Sequence, residues 1–172
     1  MNAEIISVGT ELLLGHTVNT DASYVARELS AAGINLLYDC TVGDNPERLR
    51  SAVETALGRS DAVITTGGLG PTGDDLTKET VAACAGRKLV RDEESMRRLK
   101  RYFQGRFLGE SQKKQAMLPE GCTVFQNGCG TAPGCGFRSA NGKLVVMLPG
   151  PPSELIPMLR ESAIPFLLRG TA

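Results

Sequence analysis

Short apolar runs alternating with segments of helical period constrain this chain more than any other feature. "EIISV" (4–8), "INLLYDCTV" (34–42) and "DAVITT" (61–66) each read as a strand. Between them, Ala22, Val25, Ala26, Leu29 and Ala32 form one helical stripe, and Leu49, Ala52, Val53, Ala56 and Leu57 form another. "GDNPERL" introduces the second helix, with Asp44 expected as its cap, Pro46 in its first turn and Glu47 closing a capping box. Three strands joined by two helices within 66 residues argue a parallel sheet, and a parallel sheet needs cover on both faces. The expected fold class is α/β: a three-layer α/β/α sandwich with a mostly parallel sheet. A chain of 172 residues suits one such domain, expected over 1–172.

The second half is less regular. "TKETVAACA" and "DEESMRRLKRYF" read as helices, and "SQKKQAML" as a shorter one. "TVFQN" and "GCGFRS" are expected to pair as a hairpin around "GCGTAPG". "KLVVML" is a further buried strand running into "PGPPSELIPML", where the prolines stop the strand and Ser153 with Glu154 opens a helix.

Charge narrows the function classes. Nineteen basic and nineteen acidic residues cancel, so no global field draws the chain to nucleic acid or an anionic membrane. No run approaches the roughly 18 apolar residues of a span, and "MNAEIISVG" lacks the make-up of a signal peptide. A cytoplasmic protein with no nucleic-acid or membrane partner is expected. Five cysteines, an odd number at unpatterned spacings, fit reduced thiols. Cys122, Cys129 and Cys135 lack the tight pairs of a structural zinc site and read as packing thiols.

Chemistry concentrates in "TTGGLGPTGDDLTKET" (65–80), a glycine loop between the third strand and a helix. Gly68, Gly70 and Gly73 satisfy a dinucleotide fingerprint, with Asp92 about 20 residues on. In that motif a bare pyrophosphate sits on the helix N-terminus, a place held here by Asp74 and Asp75. Two like charges about 4 Å apart repel by roughly 4 kcal/mol at an effective dielectric of about 20. A divalent cation, Mg²⁺, Mn²⁺ or Co²⁺, removes the conflict, because hard oxygen ligands and phosphates share such ions. The loop is therefore expected to be a metal-assisted phosphate site, with Asp74 and Asp75 at the metal. The simpler alternative is that one aspartate only caps the following helix. Residues 97 to 114 hold seven Lys or Arg against one acidic residue, and only Lys113 and Lys114 stand out as phosphate counter-charges. Glu11 and Glu154, at strand ends, suit the ligand crevice of an open α/β sheet.

Along nearly its whole length the chain resembles one family. "SVGTELLLG", "VNTD", "VGDNPERL", "TTGGLGPTGDDLTKE", "KKQAMLPEG", "GTAPG" and "LPGPPSEL" follow the order found in the N-terminal domain of the CinA (competence/damage-inducible) family, within the molybdopterin-binding MoaB/Mog-like superfamily. The resemblance implies an α/β/α sandwich that assembles as a homo-oligomer, a dimer or trimer. It also implies divalent-metal-dependent hydrolysis of ADP-ribose-like pyrophosphates, or alternatively a non-catalytic nucleotide or pterin module, or Mog-like adenylylation of molybdopterin. Family members often add a C-terminal amidohydrolase domain, expected to be absent here. Carried over by position, Asp44, Asp74 and Asp75 take the catalytic roles. Gly67, Gly68, Gly70, Thr72 and Thr77 match the phosphate loop, and Gly9, Thr10, Glu11, Asn19 and Thr20 match the end of the first strand and the start of the first helix. Thr131, Ala132, Pro133 and Gly134 match the "TAPG" loop; Pro149, Gly150, Pro151, Pro152, Ser153 and Glu154 match the "PGPPSE" turn. Gly73, where the family often has a charged residue, and the cysteines beside the "TAPG" loop depart from the pattern.

Overall fold

The computed structural model describes residues 1–171. Its main sheet has six strands: β1 (Asn2–Val8), β2 (Asn35–Val42), β3 (Ala62–Thr66), β6 (Thr123–Phe125), β7 (Gly134–Arg138) and β8 (Leu144–Leu148). Their order is β2-β1-β3-β8-β7-β6, with the first four strands parallel and β7 reversed against both neighbours. Two strands not anticipated from sequence, β4 (Leu89–Arg91) and β5 (Met117–Pro119), pair antiparallel as a separate ribbon.

Alternation along the central strands splits the core into two slabs. Ile5, Ile64, Val146 and Leu148 face α2 (Thr20–Ala31), α7 (Pro152–Met158) and α8 (Ile164–Gly170), packing with Val25, Leu29, Leu155 and Leu167. Ile6, Val63, Val145 and Met147 face α3 (Pro46–Arg59) and α4 (Thr77–Cys84), packing with Leu49, Val53 and Val81. Strands covered on both sides can be apolar at every position, which is why they read as unbroken runs. The result is the expected α/β/α sandwich. A third, smaller cluster joins α5 (Glu93–Tyr102) to Ala116 through Met96 and Leu99.

Several local expectations are corrected. α3 is capped by Asn45, whose side chain accepts the Arg48 N–H at 2.9 Å, because Asp44 is engaged elsewhere. "SQKKQAML" is no single helix: α6 (Glu110–Lys113) tightens into a 3-10 turn over Lys114–Ala116, and Met117 then enters β5. Pro151 caps α7, with Pro152 in its first turn, so Ser153 does not open it. The chain after β1 turns at once into α1 (Thr10–Leu13). Asp92 caps α5 through the Ser95 N–H, which gives it a local role unconnected with the glycine loop. All five cysteines are free, with Cys135 buried among the core residues.

Candidate functional site

Every parallel strand ends at the same edge, so the loops after β1, β2, β3 and β8 converge there. The chain leaves β1 for α2 on one face and leaves β3 for α4 on the other, which opens a gap between their ends. A crevice of about 680 Å³ occupies that gap. Its walls include Gly9, Glu11, Asn19, Thr20, Asp44, Thr131, Ala132, Glu154, the glycine loop and the Pro149–Pro152 turn.

The glycine loop is built from backbone. Gly67 and Gly68 take φ values of 89° and 73°, in the left-handed region that glycine tolerates. A Cβ on Gly67 would lie 2.5 Å from the Val8 carbonyl, and one on Gly68 would overlap the Thr77 hydroxyl. The Gly67 N–H donates to Leu148 at 3.0 Å, tying the loop to β8. Among the described residues, the N–H groups of Gly68, Leu69 and Gly70 donate to no protein acceptor. Unpaired amides beside a crevice are anion-receptive.

Asp75 closes the loop rather than capping α4. Its Oδ2 accepts the Thr72 N–H at 3.0 Å and the Thr72 hydroxyl at 2.6 Å, leaving Oδ1 outside that clasp. Leu76 occupies the cap position of α4 and makes no side-chain cap bond. Asp74 is exposed. Asp44 makes a reciprocal clasp with Thr10: its Oδ2 accepts the Thr10 N–H at 3.2 Å, and its own N–H donates to the Thr10 hydroxyl at 3.0 Å. Asn19 caps α2 by accepting the Ala22 N–H and donates to the Ser7 hydroxyl at 2.8 Å. Glu154 is held by the Asn127 side-chain amide at 2.6 Å.

Other expected residues sit elsewhere. Lys113 pairs with Glu110 at 3.1 Å and Lys114 donates to the carbonyls of Thr72 and Asp75 at 2.9 and 3.0 Å, so neither amine lines the crevice. Lys114 instead clamps the loop, and the buried amine of Lys78 donates to its carbonyl at 2.7 Å. Thr10 is exposed and committed to its clasp with Asp44, and Thr77 is fully buried beneath Gly68 with its hydroxyl unpartnered. Gly134 lies in β7 near the Met158 sulfur, Pro133 lines a neighbouring cleft, and Ser153 is exposed on α7.

Among the wall residues that the sequence did not single out, Asp21 and Gln115 bear most on the chemistry. Asp21 completes the "VNTD" stretch, and burial pushes its carboxyl up to about 6. Gln115, next to the lysine pair, lines the crevice with a buried side-chain oxygen that has no partner.

The electrostatics are one-sided. Glu11, Asp21, Asp44, Asp74, Asp75 and Glu154 all line the crevice, and no Lys, Arg or His does. Such hard oxygen donors suit a Mg²⁺-like cation. Among the described residues, however, no group of three or more His, Cys, Asp or Glu side chains is arranged to hold one. A cation there would complete its shell with ligand oxygens.

An open, mostly parallel sheet with a crevice over its switch point defines the class: a doubly wound α/β/α sandwich. A family model described as a probable molybdopterin binding domain matches residues 4–169. A CinA-like protein of Desulfovibrio desulfuricans is 59% identical over 169 residues, 98% of this chain and 40% of the relative. A CinA-like protein of Dictyoglomus thermophilum is 52% identical over 98% of this chain and 41% of its own length. The chain thus spans about two fifths of the curated relatives it matches. The crystal structure of CinA, of unknown function, from Thermoplasma acidophilum superposes with a TM-score of 0.87 at 38% identity, covering 95% of this chain and 97% of that one. The molybdopterin biosynthesis enzyme MoaB of Thermus thermophilus shares the fold, with a TM-score of 0.61 at 18% identity, over 96% of this chain and 95% of that one. This chain belongs to the family of probable molybdopterin binding domains, in its CinA-like branch.

Proposed function

We propose that the domain binds a phosphate-bearing small molecule, a nucleotide or a pterin, in the crevice together with a divalent cation. One observation carries this reading: a loop with unpaired amides stands in a crevice lined by six carboxylates and no basic side chain. The amides invite a phosphate and the carboxylates repel it, and a cation reconciles the two. Asp74, the free oxygen of Asp75 and Asp44 are the carboxylates offered to that cation, which when bound supplies charge neutralisation and polarisation of a phosphate oxygen. Gly68, Leu69 and Gly70 would receive a phosphate oxygen on their N–H groups. The family's description supports a pterin, and the glycine loop supports a nucleotide equally well.

A second reading is hydrolysis of an ADP-ribose-like pyrophosphate, favoured by the exposed Asp74 beside the partly committed Asp75. Incubation with ADP-ribose and Mg²⁺, Mn²⁺ or Co²⁺, and separately with ATP and molybdopterin, distinguishes the outcomes. Tight cation-dependent binding without product supports the binding domain; AMP from ADP-ribose supports the hydrolase; an adenylylated pterin supports a Mog-like transferase. Asp75→Asn is expected to weaken cation-dependent binding about tenfold or more, a loss of about 1.4 kcal/mol. Unchanged binding in both Asp75→Asn and Asp44→Asn would remove the carboxylates from the site.

A further inference from the structure

A second cleft, of about 340 Å³, adjoins the crevice and shares Thr131 with it. The two differ in charge. The crevice is lined only by acidic ionisable groups, whereas the cleft presents Arg98 and Arg101 and no carboxylate. Both arginines come from α5, where local pairing leaves a positive surplus. Glu93 is taken by Arg91 at 3.0 Å. Glu94 is shared between Arg97 at 2.6 Å and Arg98 at 3.4 Å, so one carboxylate faces two guanidiniums. Arg101 has no carboxylate partner among the described residues.

The remaining walls add shape. Tyr102, 57% exposed, offers a ring on which a planar or sugar group can lie. Asn127 forms part of the partition. Its side-chain oxygen accepts the Cys129 N–H at 2.9 Å on the cleft side, while its amide holds Glu154 of the crevice. A ligand spanning both cavities would therefore pass one ordered residue.

We propose that this cleft is a cation-free subsite for a phosphate monoester, with Arg98 and Arg101 as its counter-charges and Tyr102 against the group that bears it. A monoester carries about −1.5 to −2 charges near neutral pH, and guanidinium forks match its oxygens. That the monoester and the crevice-bound phosphate belong to one molecule rests on the crevice reading above. The cleft's own affinity for phosphate does not.

Cys129 lies exposed in the cleft and reports on it directly. Alkylation of the free thiols by iodoacetamide, followed peptide by peptide in excess chelator, is measured with inorganic phosphate and with potassium chloride at matched ionic strength. Phosphate at about twice its dissociation constant is expected to slow Cys129 about threefold, since protection follows one plus the ratio of concentration to Kd. Cys84 should be unaffected, and the buried Cys135 should stay unreactive as a sign of intact folding. Arg98→Ala with Arg101→Ala, or Arg101→Gln alone if the pair fails to fold, should abolish the protection. Equal slowing by chloride, or full protection in the folded variants, overturns the subsite. With Mg²⁺ present, ADP-ribose 2′-phosphate should protect at about a tenth or less of the phosphate concentration, because the two groups act jointly. Protection at no lower concentration overturns the shared ligand. Cation-dependent binding of ADP-ribose itself reads the crevice alone, so either reading can fail visibly without the other.

Discussion

Gly68 shows how a single position commits the loop. Its φ of 73° and the Thr77 hydroxyl beneath it leave no room for a side chain. Gly68→Ala should cost about 2 kcal/mol in a denaturant titration. Gly73 has no positive φ and nothing within 4 Å of where its Cβ would stand, so Gly73→Ala should be near neutral. Equal costs at the two positions would mean that the loop does not hold this backbone. Asp21 makes a pH-dependent prediction. Burial raises its carboxyl from 3.8 to about 6, so between those values the folded protein keeps a proton that the unfolded chain has released. Its stabilising contribution is present below pH ~4 and is lost as the pH rises to ~6. The gain in Tm from Asp21→Asn should therefore be larger at pH 7 than at pH 4. A gain independent of pH would contradict the assignment.

The elements differ in how far sequence alone reveals them. β1, β3 and β8 were legible because burial on both faces allows apolar residues at consecutive positions, as in Ile5 beside Ile6 and Val145 beside Val146. β4 and β5 were not, since three residues carry no period and their pairing joins Val90 to Leu118 across 28 positions. The cap of α3 was misplaced by one residue for the same reason. Asp44 and Asn45 are both good caps, and the contact that removes Asp44 comes from Thr10. Distance along the chain also hid the role of Lys114, whose amine reaches back 42 residues to the Thr72 carbonyl. Lys114→Met should cost about 1 kcal/mol and speed hydrogen exchange in the glycine loop. Unchanged exchange would exclude the clamp. Behind it, burial lowers the Lys78 amine to about 8. Between that value and the ordinary 10.5 the unfolded chain binds the proton that the folded one has lost, so stability rises with pH across the window. Lys78→Met should lose that rise, and melting curves at pH 8 and pH 10 show whether it does.

At the scale of the molecule, a balanced total charge conceals a strong local division. Nineteen basic and nineteen acidic residues cancel in sum, yet one crevice gathers six carboxylates and the adjoining cleft two arginines. The motif positions around the glycine loop pointed to the crevice, because its residues are bunched at strand ends. Five of its six carboxylates were among the expected site residues, but the lack of any basic wall did not show, because Lys113 and Lys114 were expected there and are engaged elsewhere. Among the described residues, no helix is long and apolar enough to cross a membrane. The crevice's field sets the decisive measurement: calorimetric titration of ADP-ribose into the domain with saturating Mg²⁺, repeated after chelation. Binding at least about tenfold tighter with the cation is predicted, a difference of about 1.4 kcal/mol. Binding of equal strength in chelator would mean that phosphate enters among the carboxylates unaided, which contradicts the role given to the cation.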